Sequence, residues 1–241
     1  MDDKKYRVSL QELLKSNLHL FDPVIEIDEK EPGLVAMDFS ISNTDLTSEL
    51  IRDIDKFCDY IVQCIANKGG RIGVGGYGEH RSIYGYSQVF DPSSDSEEPR
   101  RLHLGVDIWA PAGTEVHCPY PGRVHSFSDL DRRGDYGGVI ILEHELCGIV
   151  FYTLYGHLSR ASLNKSVGEE LEKGETFATL GPPLENGFWP PHLHFQIIAD
   201  LGGYKGDYPG VCRYSEREKY MENCPDPELI LKFEVHSTRC N

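Results

Sequence analysis

The chain has 241 residues, enough for one large domain or two small ones with a sizeable core. Its 39% hydrophobic and 26% charged residues mark a globular sequence rather than a disordered one. The 24 basic and 39 acidic residues leave a formal net charge of −15, whose field repels nucleic acid, anionic membranes and anionic wall polymers. No nucleic-acid or membrane partner is therefore expected.

The first 14 residues are charged and amphipathic, with no apolar signal core, and no apolar run reaches the roughly 20 residues of a membrane span. The expected location is the cytoplasm. Seven scattered cysteines agree: the number is odd, no C-x-x-C pair occurs, and free buried thiols are the expectation. Residues 1–20 predict a short helix with Leu10, Leu13 and Leu14 on one side. Residues 34–41 read as a strand. Residues 43–64 predict one long helix, with Asn43-Thr44-Asp45 as its start signal. Its apolar positions Leu46, Leu50, Ile54, Phe57, Ile61 and Ile65 recur at three- and four-residue steps. It should end near Gly69-Gly70.

Gly73-Val74-Gly75-Gly76-Tyr77-Gly78 has the letters of a dinucleotide fingerprint, but no helix pattern opens at the third glycine to face a pyrophosphate. A loop is the plain reading, with a loop bordering an active site as the other. Residues 91–100 are polar and Pro-flanked, and suit a boundary. From residue 71 onward short apolar runs are cut by Gly and Pro. They cover residues 105–109, 114–118, 123–127, 138–143, 149–155, 176–180 and 194–198. Such spacing predicts a mainly β fold, an antiparallel sandwich or barrel, behind an α-containing N-terminal region. The expected division is 1–95, 96–205 and an irregular 206–241 with a short helix near 215–221.

Three short elements concentrate the chemistry: His103-Leu104-Gly105-Val106-Asp107, Tyr155-Gly156-His157-Leu158, and His192-Leu193-His194. Residues two apart on a strand share a face. His192 and His194 should therefore face a pocket while Leu193 and Phe195 face the core. Zinc takes neutral imidazole and carboxylate ligands, and a catalytic site keeps one position open. His103, Asp107 and one of the two strand histidines would complete such a set, leaving two histidines for acid–base work. His117, His125, His144 and His236 have no partners at ligand spacing.

Taken together, residues 103–198 resemble the lysostaphin-type zinc endopeptidases, peptidoglycan-cleaving enzymes with a duplicated hybrid motif fold. The resemblance extends beyond the histidines to Ala110-Pro111-Ala112-Gly113-Thr114, Pro121-Gly122-Arg123-Val124, Tyr136-Gly137 and the later turn glycines. It implies zinc (Zn2+) ligation by His103, Asp107 and His194, with His157 and His192 as the non-ligand catalytic histidines. It also implies cleavage of peptide bonds next to Gly or D-Ala in a peptide or peptidoglycan fragment. Glu185-Asn186-Gly187-Phe188-Trp189-Pro190-Pro191 and Cys224-Pro225-Asp226-Pro227 resemble an intracellular subgroup found beside aminotransferase domains. Trp189, Tyr155, Tyr77 and His80 are the expected groove residues, and residues 1–95 are expected to lie on or near the groove. The competing expectations are a zinc-holding module without catalysis and a hydrolase acting on a small cytoplasmic substrate.

Overall fold

A computed structural model describes residues 9–27, 33–92 and 96–232. His236 and Cys240 lie outside the described residues. Five α-helices are described: α1 (Leu10–Ser16), α2 (Ser48–Arg52), α3 (Ile54–Asn67), α4 (Arg217–Asn223) and α5 (Glu228–Leu231). The early strands are β1 (Leu34–Ala36), β2 (Ile72–Gly75), β3 (Leu102–His103), β4 (Val106–Trp109), β5 (Glu115–His117) and β6 (Gly122–Leu130). The later ones are β7 (Gly137–Leu146), β8 (Ile149–Leu158), β9 (Glu170–Leu171), β10 (Thr176–Thr179), β11 (His192–Ile198) and β12 (Val211–Cys212).

The N-terminal helix starts where local chemistry dictates. Ser9 and Glu12 exchange side-chain-to-backbone hydrogen bonds as a capping box at the head of α1, and Leu13 and Leu14 are buried. The single helix predicted over 43–64 is two helices. The Thr47 hydroxyl accepts from the Leu50 amide, and the Asp53 carboxylate accepts from the Lys56 amide. Asp53 is extended, so it closes α2 and caps α3. The apolar periodicity holds within α3, where Phe57, Ile61 and Ile65 are buried.

The fold is mainly β. Its principal sheet has eight strands in the order β1-β2-β4-β11-β8-β7-β6-β9, with two-stranded pairs β10-β5 and β12-β3 beside it. The sheet does not close on itself. It is mixed rather than wholly antiparallel, because β1 and β2 run parallel. The helical crossover through α2 and α3 lets two consecutive strands point the same way. The sheet thus includes strands from both sides of residue 95, and β2, read from sequence as loop, is its second strand.

Alternation along the strands separates two faces. Val106, Ile108, Ile140, Leu193, Phe195 and Ile197 pack into the main core, joined by residues of α1 and α5. The opposite face carries Trp109 with Phe39, Phe57 and Ile61 toward one end. Toward the other it carries Val139, Ile141, Leu154 and Ile198 with the C-terminal Tyr208, Cys212 and Cys224. Residues 206–232 therefore hold two helices and a strand, more order than expected. Six cysteines are free thiols among the described residues, and Cys147 is exposed rather than buried. No described helix is long and apolar enough to cross a membrane.

Candidate active site

The site occupies the second face of the sheet. In the antiparallel pair β4-β11, His194 stands opposite Asp107 and His192 opposite Trp109. His192, His194 and Gln196 thus share one face, as the two-residue period of a strand requires. His103 enters from β3, four residues before Asp107. His157 lies near the end of β8 with φ +64, a left-handed conformation uncommon for a side-chain-bearing residue. There its amide donates to the Tyr136 carbonyl and its carbonyl accepts from the Gly181 amide.

Three donor atoms converge. Nε2 of His103 and Nδ1 of His194 are 2.9 Å apart, and each lies 3.2 Å from Oδ1 of Asp107. Outer hydrogen bonds fix the tautomers. Nδ1–H of His103 donates to the Gly76 carbonyl at 3.0 Å, so its Nε2 presents a lone pair. Nε2–H of His194 donates to Oε1 of Gln196 at 3.0 Å, so its Nδ1 presents a lone pair. Gln196 is itself held, because its amide group donates to the Pro209 carbonyl and to Sγ of Cys224. Two lone pairs and a carboxylate oxygen thus face one point with no proton between them. Ligands about 2.0–2.2 Å from a tetrahedral ion lie roughly 3.4 Å from each other, so this donor set fits zinc.

The remaining two histidines are prepared for a different task. Nδ1–H of His192 donates to the Pro190 carbonyl at 2.7 Å, and Nδ1–H of His157 to the Asn186 carbonyl at 2.8 Å. Each keeps a free Nε2, and the rings lie 4.1 Å apart between centroids. Nε2 of His192 is 3.9 Å from Oδ1 of Asp107, beside the convergence point.

Glycines admit the His194 ring. A Cβ on Gly105 would lie 2.6 Å from its Cε1, and one on Gly210 would lie 3.1 Å from its Nε2. The glycine of His-Leu-Gly-Val-Asp is thus set by steric approach.

All five site residues are buried. Burial and the charge of Arg81 push the His103 imidazole down to about 3, so it is neutral and ligand-competent at pH 7. Burial opposes ionisation of Asp107, but its interactions with His103, the Arg81 guanidinium and His192 outweigh it and hold the carboxyl well below its usual range. Burial lowers His192, and burial with the adjacent His192 ring holds His157 well below an ordinary histidine.

Sequence reasoning missed Arg81. Its guanidinium is buried and donates to Oδ2 of Asp107, to Oε2 of Glu79 and to the Tyr84 hydroxyl. It also missed Gln196 and Asn186, which set ring tautomers, whereas Gly76, which orients His103, lies in the glycine-rich stretch read as a possible loop bordering an active site. Gln196 carried a local signal too, being two residues beyond His194 on the same strand.

Among the expected groove residues, Trp189 lines a chamber of about 270 Å³ that opens over the site. Tyr155 does not face it. As an odd-face residue of β8 it packs on Phe177 and Phe195 in the main core. Tyr77 is held by its hydroxyl, which donates to the Cys224 carbonyl, and His80 lies against Tyr214; neither lines the chamber. Its walls come from Phe39, Phe57, Tyr84 and Phe90, from Trp109, and from the 204–211 loop.

Residues 101–205 match peptidase family M23. A curated L-Ala--D-Glu endopeptidase from Bacillus subtilis (strain 168) is 28% identical over 131 residues, covering 51% of this chain. The chain spans only 38% of that relative's length. Among solved structures, a zinc-containing peptidase from Vibrio cholerae is 26% identical, over 40% of this chain and 27% of that one, with a TM-score of 0.34. The catalytic domain of the antimicrobial peptidase lysostaphin from Staphylococcus simulans is 23% identical, over 54% of this chain and 86% of that one, with a TM-score of 0.34. Over residues 101–205 the chain is thus similar to peptidase family M23.

Proposed function

We propose that this protein is a zinc-dependent peptidase that hydrolyses an amide bond within the chamber above β4 and β11. The observation that carries the reading is the convergence of His103 Nε2, His194 Nδ1 and Asp107 Oδ1, each oriented by an outer hydrogen bond. Zinc bound there would supply Lewis acidity toward water and toward the scissile carbonyl.

The chain's own residues handle the protons. His192, neutral and with Nε2 free, accepts a proton from the attacking water. The water oxygen adds to the carbonyl carbon, the C–N bond breaks, and the departing amine takes up one proton. His157, 4.1 Å from His192 between ring centroids, is placed to hydrogen-bond the developing oxyanion or to pass that proton on. The two histidines can exchange these tasks without altering the balance. The buried site around them keeps bulk water from competing for these hydrogen bonds.

We further propose that residues 1–95 belong to the working site, since Gly76 and Arg81 hold two of the three donors. The net charge of −15 supports a free peptide in the cytoplasm, as in the proposed intracellular subgroup, over an anionic wall polymer. The test is hydrolysis of short peptides by the purified chain, zinc-loaded and chelated. The reading requires turnover that disappears on chelation, returns with zinc, and is lost in His192→Ala with zinc retained.

A further inference from the structure

We infer that the chamber takes a short free peptide with a bulky apolar, preferentially aromatic, side chain beside the bond to be cut. Resting on the peptidase reading above, this departs from the Gly or D-Ala links that the sequence resemblance implies.

The chamber wall is aromatic where it meets the catalytic pair. Phe39 stacks on Trp109 with centroids 4.6 Å apart, and Trp109 stacks on His192 at 5.6 Å. Trp189 stands edge-on to His157 at 6.5 Å and to Tyr84 at 6.2 Å. A peptide placed against Nε2 of His192 and His157 therefore has its neighbouring side chain beside the Trp189, Tyr84 and Phe90 rings that line the chamber. Glycine or alanine would leave the chamber unfilled, whereas a benzyl side chain would be removed from water among its aromatic lining.

Much of this wall lies outside the stretch matched to the peptidase family. Phe39, Phe57, Tyr84 and Phe90 all precede residue 101. They form one apolar cluster with Trp109 and Trp189, supported by α3. The N-terminal region thus adds a side-chain compartment to the catalytic face.

Size and closure favour a free peptide. The chamber holds about 270 Å³ and is lined both by the 204–211 loop and by residues that precede residue 101. That is just below the usual range of ligand pockets, about 300 to 1,000 Å³. A cross-linked polymer strand has to pass through the site, which a walled chamber resists. The negative charge of the whole chain adds repulsion toward anionic polymers.

The experiment uses the zinc-loaded full chain. Tetrapeptides of Gly, of Gly with D-Ala, and of Gly with Phe at each position in turn are compared with purified peptidoglycan, with products identified by mass spectrometry. The expected result is a kcat/KM at least about 10-fold higher for a Phe-containing peptide, with the polymer not cut. Val89→Trp, which enlarges a half-buried chamber residue, should narrow the Phe-over-Gly ratio at least about fivefold. Equal or faster cleavage of the Gly or D-Ala peptides, or cleavage of the polymer, overturns the inference while the peptidase reading stands. If no peptide is cut, the peptidase reading fails. Calorimetric binding of the same peptides then decides the inference: Phe-selective binding supports it, and equal or no binding overturns it.

Discussion

Arg81 and Asp107 form a buried ion pair in which Nη1 of the guanidinium donates to Oδ2 of the carboxylate at 2.5 Å. The other oxygen, Oδ1, is left facing His103 and His194. One cation outside the donor set thereby decides which oxygen is offered to a metal. It also neutralises Glu79, whose Oε2 accepts from Arg81 Nε at 2.7 Å.

Removing that cation should be felt in both binding and stability. Arg81→Met removes the one cation shared by the Asp107 and Glu79 carboxylates, the first of them buried. Zinc affinity should fall about 10- to 100-fold, as expected when an outer-shell partner is lost. Stability should fall by about 3–5 kcal/mol, the usual cost of breaking a buried pair. Chelator competition and denaturant unfolding measure the two effects. An unchanged zinc affinity would show that Arg81 only fills space.

The five polar residues of the site should separate into two classes on substitution. His103→Ala, Asp107→Ala and His194→Ala should each lose zinc. His157→Ala and His192→Ala should keep it while turnover drops about 10²- to 10⁴-fold, the usual worth of general acid–base catalysis. Metal content by elemental analysis alongside peptide hydrolysis checks this. Loss of metal in His192→Ala with retention in His194→Ala would reverse the assignment.

Gly105→Ala tests the steric argument. The new methyl would lie 2.6 Å from Cε1 and 2.7 Å from Nε2 of the His194 ring, and 2.7 Å from the Phe195 carbonyl. The ring must turn away from Gln196, taking Nδ1 off the convergence point. Zinc affinity should fall at least about 10-fold, comparable to loss of an outer-shell contact. Normal zinc affinity in a folded Gly105→Ala protein would contradict the geometry.

His144 provides a pH prediction away from the site. Its Nδ1–H donates to the Pro121 carbonyl at 3.1 Å, its Nε2 lies 2.7 Å from the Thr153 hydroxyl, and burial pushes the imidazole down to about 4. Unfolded, it titrates near 6.5. Between those values the unfolded chain binds a proton that the folded one refuses. The stabilisation is complete above about pH 6.5 and disappears as pH falls toward 4, amounting to about 3 kcal/mol. His144→Gln should flatten this part of the stability–pH curve in urea titrations. A curve as steep as that of the unsubstituted chain would assign the acid lability elsewhere.

Much of the candidate site was legible because strand periodicity is local. His192 and His194 had to share a face, as residues two apart on a strand do. The N-terminal contribution was hidden for physical reasons. β2 is rich in glycine, a poor strand former, yet Gly75 is needed because a Cβ there would lie 2.7 Å from the Met37 carbonyl. Arg81 is 26 positions from Asp107, and no local pattern links them. The break between α2 and α3 was legible in Thr47 and Asp53, both good N-caps, but the apolar spacing ran on through it. Tyr155 was misplaced because its neighbours Gly156 and His157 belong to the site. Alternation sets Tyr155 on the face opposite Gly156, and the left-handed backbone at His157 takes that histidine off the face of Tyr155.

The central claim is a single metal-binding point shared by His103, Asp107 and His194. X-ray absorption at the zinc edge on the reconstituted protein, with the anomalous map of a zinc-loaded crystal, measures it directly. The account predicts one ion bonded to His103 Nε2, His194 Nδ1 and Asp107 Oδ1 at about 2.0–2.2 Å, with a non-protein fourth ligand. An ion bound elsewhere, or one held by His192 or His157 in place of His194, would contradict it.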